Sequence, residues 1–232
     1  MLEKLYLSVA RKLGLRSRGP IVRHDVSKWA GAAQEGELEF HKTNRWRETE
    51  AFMEQTVALF RTFGFQRSGW EGKTVIDLGA GSKLRSKFFE GARIVVIEPL
   101  ADRYIAEVPW SDLKDAAAVF SRPAEKLVEE CVGTADLLIS INVLDHCYDF
   151  ADIVSNIRDY LKPDGTAFLS FDMHENVDDM HPLVLTESVC EEIFDQAGLK
   201  VVKFSKGGGD VLQTYGHGDF CLNYWLEKAD RA

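Results

Sequence analysis

The stretch Val75-Ile-Asp77-Leu-Gly79-Ala-Gly81-Ser82 decides the fold. It starts as a short apolar run, which is typical of a strand buried on both faces of a parallel sheet. Two glycines follow, and they allow a tight turn in which a ligand can approach the backbone closely. Asp77 places a carboxylate beside the same turn. The stretch therefore predicts a ligand site at the end of a buried strand.

Further apolar runs of similar length predict the other strands of the sheet. They are Arg93–Glu98, Asp136–Asn142 and Thr166–Phe171, with a weaker run at Ala116–Arg122. Helical patterns precede or separate them, at Glu48–Phe63, Ser82–Glu90, Pro123–Cys131 and Phe150–Leu161. Alternation of strands and helices predicts an α/β fold with a doubly wound, mostly parallel sheet.

In the C-terminal third of the sequence, the predicted elements are a turn, one helix and two strands. Lys162–Gly165 has the residue types of a turn, and a helix is predicted at Ser188–Ala197, with Ser188 as its capping residue and Gly198 ending it. The last two predicted strands are Leu199–Phe204 and Asp219–Glu227. Because their connection is short and has no helical pattern, they should form an antiparallel pair at the edge of the sheet.

Composition excludes several classes of protein. The chain has 232 residues, of which 45% are hydrophobic and 28% charged, so a disordered chain is excluded. No apolar run reaches the ~20 residues of a transmembrane helix, and the N-terminus has no secretory-signal pattern, which predicts a soluble, cytoplasmic protein. The four cysteines form no C-x-x-C pair, which argues against a zinc knuckle. A net charge of −9 argues against nucleic acid as a partner.

The charge is uneven and suggests two parts, a basic N-terminal arm at residues 1–35 and a body at residues 36–232. Residues 1–30 carry seven basic and two acidic side chains. Residues 2–13 have the pattern of a short amphipathic helix. Residues 1–18 would suit an anionic membrane surface or a partner. Docking on the chain's own acidic body, or across a dimer, is the alternative.

Glu98 ends the second predicted strand, seventeen residues after Gly81. A carboxylate at this position can accept hydrogen bonds from both hydroxyls of a ribose. The spacing therefore predicts a cofactor that contains adenosine.

With these residues in place, the sequence resembles the class I S-adenosylmethionine-dependent methyltransferases from about residue 36 to the C-terminus. Five segments occur in family order: "VIDLGAGS", "VVIEP", "PAEKL", "ADLLISINVLDH" and "YLKPDGTAFLS". The resemblance implies a Rossmann-like sheet of seven strands with an antiparallel last strand, and S-adenosylmethionine as cofactor.

The resemblance also implies contacts to the cofactor. They are Asp77, Gly79, Ala80 and Gly81 along its methionine part, Glu98 at the ribose hydroxyls, Pro99 and Leu100 beside the adenine, Ala124 and Glu125 along the adenine edge, and Asn142 and Val143 beside the sulfonium. The sequence departs from the family at two positions. Lys83 replaces the third glycine, and Pro123 replaces the acid that often caps the adenine amino group, which leaves Glu125 as a candidate substitute. Arg45 or Arg47 is a candidate to bind the cofactor carboxylate. The alternative is that both side chains lie on the protein surface.

Candidate catalytic residues follow the fourth and fifth predicted strands. A base is needed if the acceptor is a hydroxyl of high pKa. Asp145 and His146 follow the fourth strand, and Asp172, His174 and Glu175 follow the fifth, so all five could face the acceptor. The candidates for the base are His174 and Asp172, with His146 serving either catalysis or the packing of the next helix, and His181 as a weaker choice. The segment from His174 to His181 also holds Glu175, Asp178 and Asp179, and such a cluster could bind a divalent metal near a diol substrate. Its spacing matches no defined ligand set, so a solvated loop without metal is favoured.

These observations predict methyl transfer to a small-molecule acceptor, with a sugar or glycan precursor favoured. The alternative is a cofactor-binding module or partner subunit without transferase activity. A nicotinamide dehydrogenase fits less well, because the third glycine is missing and Asp77 stands where an apolar residue is usual.

Overall fold

A computed structural model describes residues 25–174, 180–206 and 221–229. The helix predicted at residues 2–13, and with it the contact expected through residues 1–18, lies outside the described residues. Within the described ranges, no helix combines the length and the apolarity that a membrane-spanning segment needs.

Seven strands form one sheet in the order β3-β2-β1-β4-β5-β7-β6. They are β1 (Thr74–Leu78), β2 (Arg93–Ile97), β3 (Ala118–Phe120), β4 (Ala135–Ile141), β5 (Leu161–Asp172), β6 (Leu199–Lys206) and β7 (Cys221–Lys228). The first five strands pair in parallel, and β7 runs antiparallel to both β5 and β6. The predicted mostly parallel sheet with an antiparallel last strand is confirmed.

Five helices longer than one turn accompany the described strands. They are α1 (Gln34–Thr43), α2 (Glu50–Thr62), α3 (Ala101–Glu107), α4 (Phe150–Tyr160) and α5 (Glu187–Ala197). The Asp149 side chain caps α4 by accepting a hydrogen bond from the Asp152 N–H at 3.2 Å. Val75 and Ile76 of β1 join different apolar clusters, so core packs on both faces of the sheet.

Two predicted crossover helices are wrong. The segment Ser82–Glu90 contains only a 3₁₀ turn at Arg85–Phe88, and the segment Pro123–Cys131 only one at Glu129–Cys131. Side chains take the place of helical bonds there: the Leu84 N–H donates to Asp112 at 2.9 Å, and the Val128 N–H donates to the Tyr160 hydroxyl at 2.9 Å. Backbone donors satisfied in this way favour an irregular chain.

The predicted turn at residues 162–165 falls within the bounds of β5, where the pairing with β4 is irregular. The register passes from Leu161 to Thr166 on β5 while β4 advances only from Ala135 to Leu137, and a Cβ on Gly165 would lie 3.0 Å from the Lys162 nitrogen, so the chain folds back on itself there. One smaller prediction in the C-terminal third is wrong. Helix α5 is capped by Thr186, which accepts a hydrogen bond from the Val189 N–H at 3.4 Å, and not by Ser188. Gly198, with φ +79°, ends the helix as predicted.

The chain before α1 is also helical. A short turn at Val26–Lys28 and a π-helical turn at Trp29–Ala33 lead directly into α1, across the point where the sequence predicts the arm to end. Trp29 packs edge-on against Tyr148, with ring centroids 4.9 Å apart, and its Nε1–H donates to the His146 carbonyl at 2.8 Å. The helical segment at residues 26–33 therefore packs against the loop that follows β4.

We expect Tyr160→Phe to destabilise the protein, because the buried Val128 N–H then loses its acceptor. A buried donor without a partner costs about 1–3 kcal/mol. Tyr104→Phe is the matched control: the buried Tyr104 hydroxyl has no hydrogen-bond partner among the described residues, so its removal should cost little. Urea unfolding of both variants checks this, and equal losses of stability would contradict it.

Candidate active site

The turn after β1 is closed by side chains from two other parts of the chain. Gly79 and Gly81 have φ values of +77° and +61°, a conformation that other residues rarely adopt. A Cβ on Gly79 would overlap the γ-carbons of Val143, and a Cβ on Gly81 would lie 2.6 Å from Cε1 of His41. Glycine is therefore required at both positions by conformation and by packing.

Glu98 ties this turn to the end of β2. Its carboxylate accepts hydrogen bonds from the Gly81 N–H at 3.0 Å and from the Leu100 N–H at 2.9 Å. Burial raises the pKa of Glu98 to about 7, although both backbone donors oppose that shift. Each carboxylate oxygen has a further lone pair, so the group can still accept bonds from a ligand.

Asp77 is held from the opposite side of the turn. The Ser86 hydroxyl donates to its carboxylate at 2.6 Å, and burial raises the pKa of Asp77 to about 6. Lys83, which stands where the family has a third glycine, pairs with Asp112 at 3.1 Å. The loop is thus fixed by side-chain contacts along its length.

His41 covers the turn from α1. Burial lowers its pKa, which favours the neutral ring. Its Nε2–H donates to Glu37 at 3.0 Å, while Nδ1 accepts from the Ser82 hydroxyl at 2.7 Å and from the Ser82 N–H at 3.2 Å. Sequence reasoning did not single out His41. The spacing of Glu37 and His41, one helical turn apart, is the signal that could have found it.

Arg45 and Arg47 have opposite environments. The Arg45 side chain is 75% exposed and pairs with Glu48 at 2.8 Å. Arg47 is 7% exposed and lies over the rings of Phe40 and Phe52, at 5.5 and 5.3 Å. Its buried Nε has no hydrogen-bond partner among the described residues. Because a buried charge is costly without a partner, Arg47 is the candidate for binding an anion.

Ala124 and Glu125 join the β3–β4 connection to α4 and the loop before it. The Ala124 carbonyl accepts a hydrogen bond from the Asn156 side chain at 2.9 Å. One oxygen of Glu125 accepts bonds from the N–H groups of Tyr148 and Asp149, at 2.7 and 3.3 Å. The other oxygen is buried and has no partner among the described residues. That oxygen is available to a donor on a ligand.

The end of β4 is conformationally unusual. Asn142 has φ +57°, and it is the only non-glycine residue with positive φ in the described part of the chain. Its N–H donates to the Ser170 carbonyl at 2.7 Å, so neighbouring β5 holds this geometry. Non-glycine residues in this region occur at functional sites more often than elsewhere, and asparagine tolerates it best. The next residue, Val143, packs against Gly79.

A cluster of histidines and carboxylates lies where β4 and β5 end. Nε2 of His174 donates to the fully buried Asp145 at 2.8 Å. The rings of His146 and His174 lie 4.5 and 4.0 Å from that of His181. Burial would raise the pKa of Asp145, but His146 and His174 together hold it below its usual value. Asp145 is therefore an ionised carboxylate beneath the three imidazoles.

Of the other residues predicted on the acceptor side, Asp172 lies in the described part of the chain and three do not. Asp172 ends β5 and is partly buried, and burial followed by the charge of Asp145 raises its pKa. Glu175, Asp178 and Asp179 lie outside the described residues. Sequence reasoning named Asp145 but did not connect it with His174, because the two residues follow different strands.

Comparison with known proteins identifies relatives with this architecture. A family model described as a methyltransferase domain matches residues 45–203. A ubiquinone biosynthesis O-methyltransferase from Pseudomonas paraeruginosa is 31% identical over 109 residues, which are 45% of this chain and 47% of that protein. Its counterpart from Caulobacter vibrioides is 27% identical over 121 residues, or 50% and 48%. The matches thus span about half the length of these curated relatives.

Solved structures agree on the fold. The 1,6-didemethyltoxoflavin-N1-methyltransferase of Burkholderia thailandensis, bound to 1,6-didemethyltoxoflavin and S-adenosylhomocysteine, has a TM-score of 0.55 at 18% identity, covering 88% of this chain and 87% of that one. Phosphoethanolamine N-methyltransferase 2 of Haemonchus contortus, in complex with S-adenosyl-L-methionine, has a TM-score of 0.56 at 13% identity, covering 84% and 60%.

We expect the buried carboxyl of Glu98 to make stability fall with rising pH. The unfolded chain releases this proton near its ordinary pKa of 4.5, whereas the folded chain keeps it to about 7. The free energy of unfolding should therefore fall between these pH values and stay low above them. The side chain of the Glu98→Gln variant stays neutral at every pH, so the variant does not lose this free energy. The free energy of unfolding of the variant, relative to that of the wild type, should therefore rise by on the order of 1–3 kcal/mol between the two pKa values. Urea unfolding without ligand at pH 5 and pH 8 measures it, and parallel pH profiles would refute it.

Proposed function

The chain belongs to the methyltransferase-domain family, within the class I S-adenosylmethionine-dependent methyltransferases, and on that premise we propose that it transfers a methyl group to a hydroxyl of a small aromatic acceptor. The observation that carries the methyl-transfer part of the proposal is the set of groups at the ends of β1 and β2, together with Arg47 from the turn that precedes α2. Glu98, the Gly79–Gly81 turn and Arg47 offer an acceptor for hydroxyls, a close backbone approach and a buried cation.

These groups fit S-adenosylmethionine. Glu98 has lone pairs for the ribose hydroxyls. The buried Nε of Arg47 has no hydrogen-bond partner among the described residues, and the cofactor carboxylate would supply an acceptor for it, although Glu37 is already an anionic neighbour of Arg47. The buried oxygen of Glu125 could accept a bond from the adenine amino group, the role that the sequence leaves vacant at Pro123. Asn142 and Val143 would form the floor beside the sulfonium. When bound, the cofactor supplies a methyl carbon that is already activated for displacement.

The protein's task is then alignment, exclusion of water and removal of one proton. The acceptor oxygen must lie in line with the methyl carbon at about 3–3.5 Å. His174 would take the proton of the acceptor hydroxyl as that oxygen accepts the methyl group. The cofactor would supply the methyl group and would keep on its sulfur the electron pair of the bond that is broken. With Nε2–H donating to Asp145, His174 carries its lone pair on Nδ1, so Asp145 is a positioning residue.

The relatives are named as O-methyltransferases of ubiquinone biosynthesis. This name supports an acceptor oxygen on an aromatic ring, such as a phenolic hydroxyl. A phenolic hydroxyl ionises near pH 10, as tyrosine does, and a histidine can remove its proton more readily than that of an aliphatic alcohol. The comparisons give no support to the sugar or glycan precursor favoured by the sequence. The proposal is tested by incubating the protein with S-adenosylmethionine and either a catechol or a sugar diol, and measuring the mass of one added methyl group. A binding module would bind cofactor and modify neither.

We expect Arg47→Ala to weaken binding of S-adenosylhomocysteine by about tenfold or more, because a hydrogen bond to a charged group contributes about 1.5–3 kcal/mol. Arg45→Ala is the matched control. It removes the same side chain from an exposed ion pair and should leave the affinity unchanged. Calorimetry on both variants, with the fold checked by circular dichroism, measures the difference. Equal affinities would remove Arg47 from the cofactor site.

We expect His174→Ala to lower the rate of methyl transfer by ~10²-fold or more, the usual contribution of a general base. Affinity for S-adenosylhomocysteine should stay nearly unchanged, since His174 lies at the acceptor end. Single-turnover rates with saturating cofactor measure the effect. A wild-type rate in this variant would show that the proton leaves by another path.

A further inference from the structure

We propose that Asp145, His146 and His181 form a binding site for a divalent transition-metal ion at the acceptor end of the cleft. Asp145 and His146 follow β4, whereas His181 comes from the chain after β5. The ion binding is independent of the proposed function, but the role given to the ion below rests on it.

The donor atoms are close enough to share one ion. One ligand atom from each of the three residues lies within 4.8 Å of the others. Ligand atoms bonded to one zinc ion at ~2.0–2.2 Å lie about 3–4 Å apart, so the side chains need to move by about 1 Å or less. Nε2 of His146 is already 3.9 Å from Oδ2 of Asp145, the oxygen that also accepts the hydrogen bond from His174.

The hydrogen bonds behind two of the three residues, His146 and Asp145, are those of a metal site. Nδ1–H of His146 donates to the Met180 carbonyl at 2.9 Å, which leaves the lone pair on Nε2, the nitrogen nearer Asp145. His174 donates to one oxygen of Asp145 at 2.8 Å. Metal-bound imidazoles usually donate their other N–H to a carbonyl or carboxylate, and ligating carboxylates are themselves hydrogen-bonded.

A second observation points to a ligand on Asp145. Its other oxygen, Oδ1, is buried and has no hydrogen-bond partner among the described residues. An ionised carboxylate oxygen buried without a partner is costly, and a bound cation would remove that cost. Sequence spacing did not predict the site, because His181 is distant along the chain from the other two ligands.

Two imidazoles and one carboxylate favour a borderline ion such as Zn²⁺ over Mg²⁺, which prefers oxygen ligands. Three protein ligands leave a coordination position open, as in catalytic zinc sites. An acceptor hydroxyl in that position would lose its proton more easily, because the positive ion stabilises the oxygen anion. The proton would pass to His174, and the oxygen would keep its electron pair for the methyl carbon.

The test is a titration of the full chain, after dialysis against a chelator, with Zn²⁺ alone by calorimetry and with Co²⁺ by visible absorption. We expect one ion per chain. His181→Ala should lower the affinity at least ~10-fold, since even residues behind the ligands contribute 10–100-fold. His146→Gln should have a similar effect if circular dichroism shows it folded. Glu130→Gln is the control: it removes an exposed carboxylate that precedes β4, at the opposite end of that strand from the ligands, and should leave metal affinity unchanged.

Two results would overturn the inference: no binding by the wild type, or stoichiometric binding that His181→Ala retains in full. Failure of this inference is distinguishable from failure of the proposed function. Methyl transfer by a chelated protein that binds no zinc would refute the metal site alone. Zinc bound through His181, with no acceptor ever methylated, would refute the function alone.

Discussion

The two backbone hydrogen bonds accepted by Glu98 are the interaction on which the candidate site depends. They join the turn after β1 to the end of β2, so the two strands present their ends as one surface. Gly81 has a positive φ in this turn, and its lack of a Cβ makes room for the ring of His41. Burial of a carboxyl group is unfavourable for folding, and here it leaves an acceptor that a ligand can use.

The sheet could be predicted from the sequence because its strands are buried on both faces. The apolar runs of β1 and β4 are unbroken and too short for a buried helix, which favours strands of a parallel sheet. The crossover helices could not be predicted in the same way. Ser86 and Leu84 lie in a segment that looks helical, but their hydrogen bonds go to Asp77, on the preceding strand, and to Asp112, 28 residues from Leu84. Periodicity carries no information about such partners.

The residues of the candidate site also fall into two groups, those that the sequence could place and those that it could not. Residues at strand ends, such as Asp77 and Glu98, could be placed from the sequence because the end of a parallel strand marks the crevice. The burial of Arg47 and the contact of His41 with the turn depend on how the N-terminal helices dock on the sheet. The approach of His181 to Asp145 depends on where the chain runs after β5. These features are properties of tertiary packing, and no local pattern predicts them.

The helical segment from Val26 to Thr43 reaches both ends of the cleft. At one end His41 covers Gly81, and at the other Trp29 donates to the His146 carbonyl while Gly36 packs against Met180. A rigid element shared in this way couples the two ends energetically. A ligand whose binding shifts this segment at one end would change affinity at the other, and linkage requires that such an effect be reciprocal.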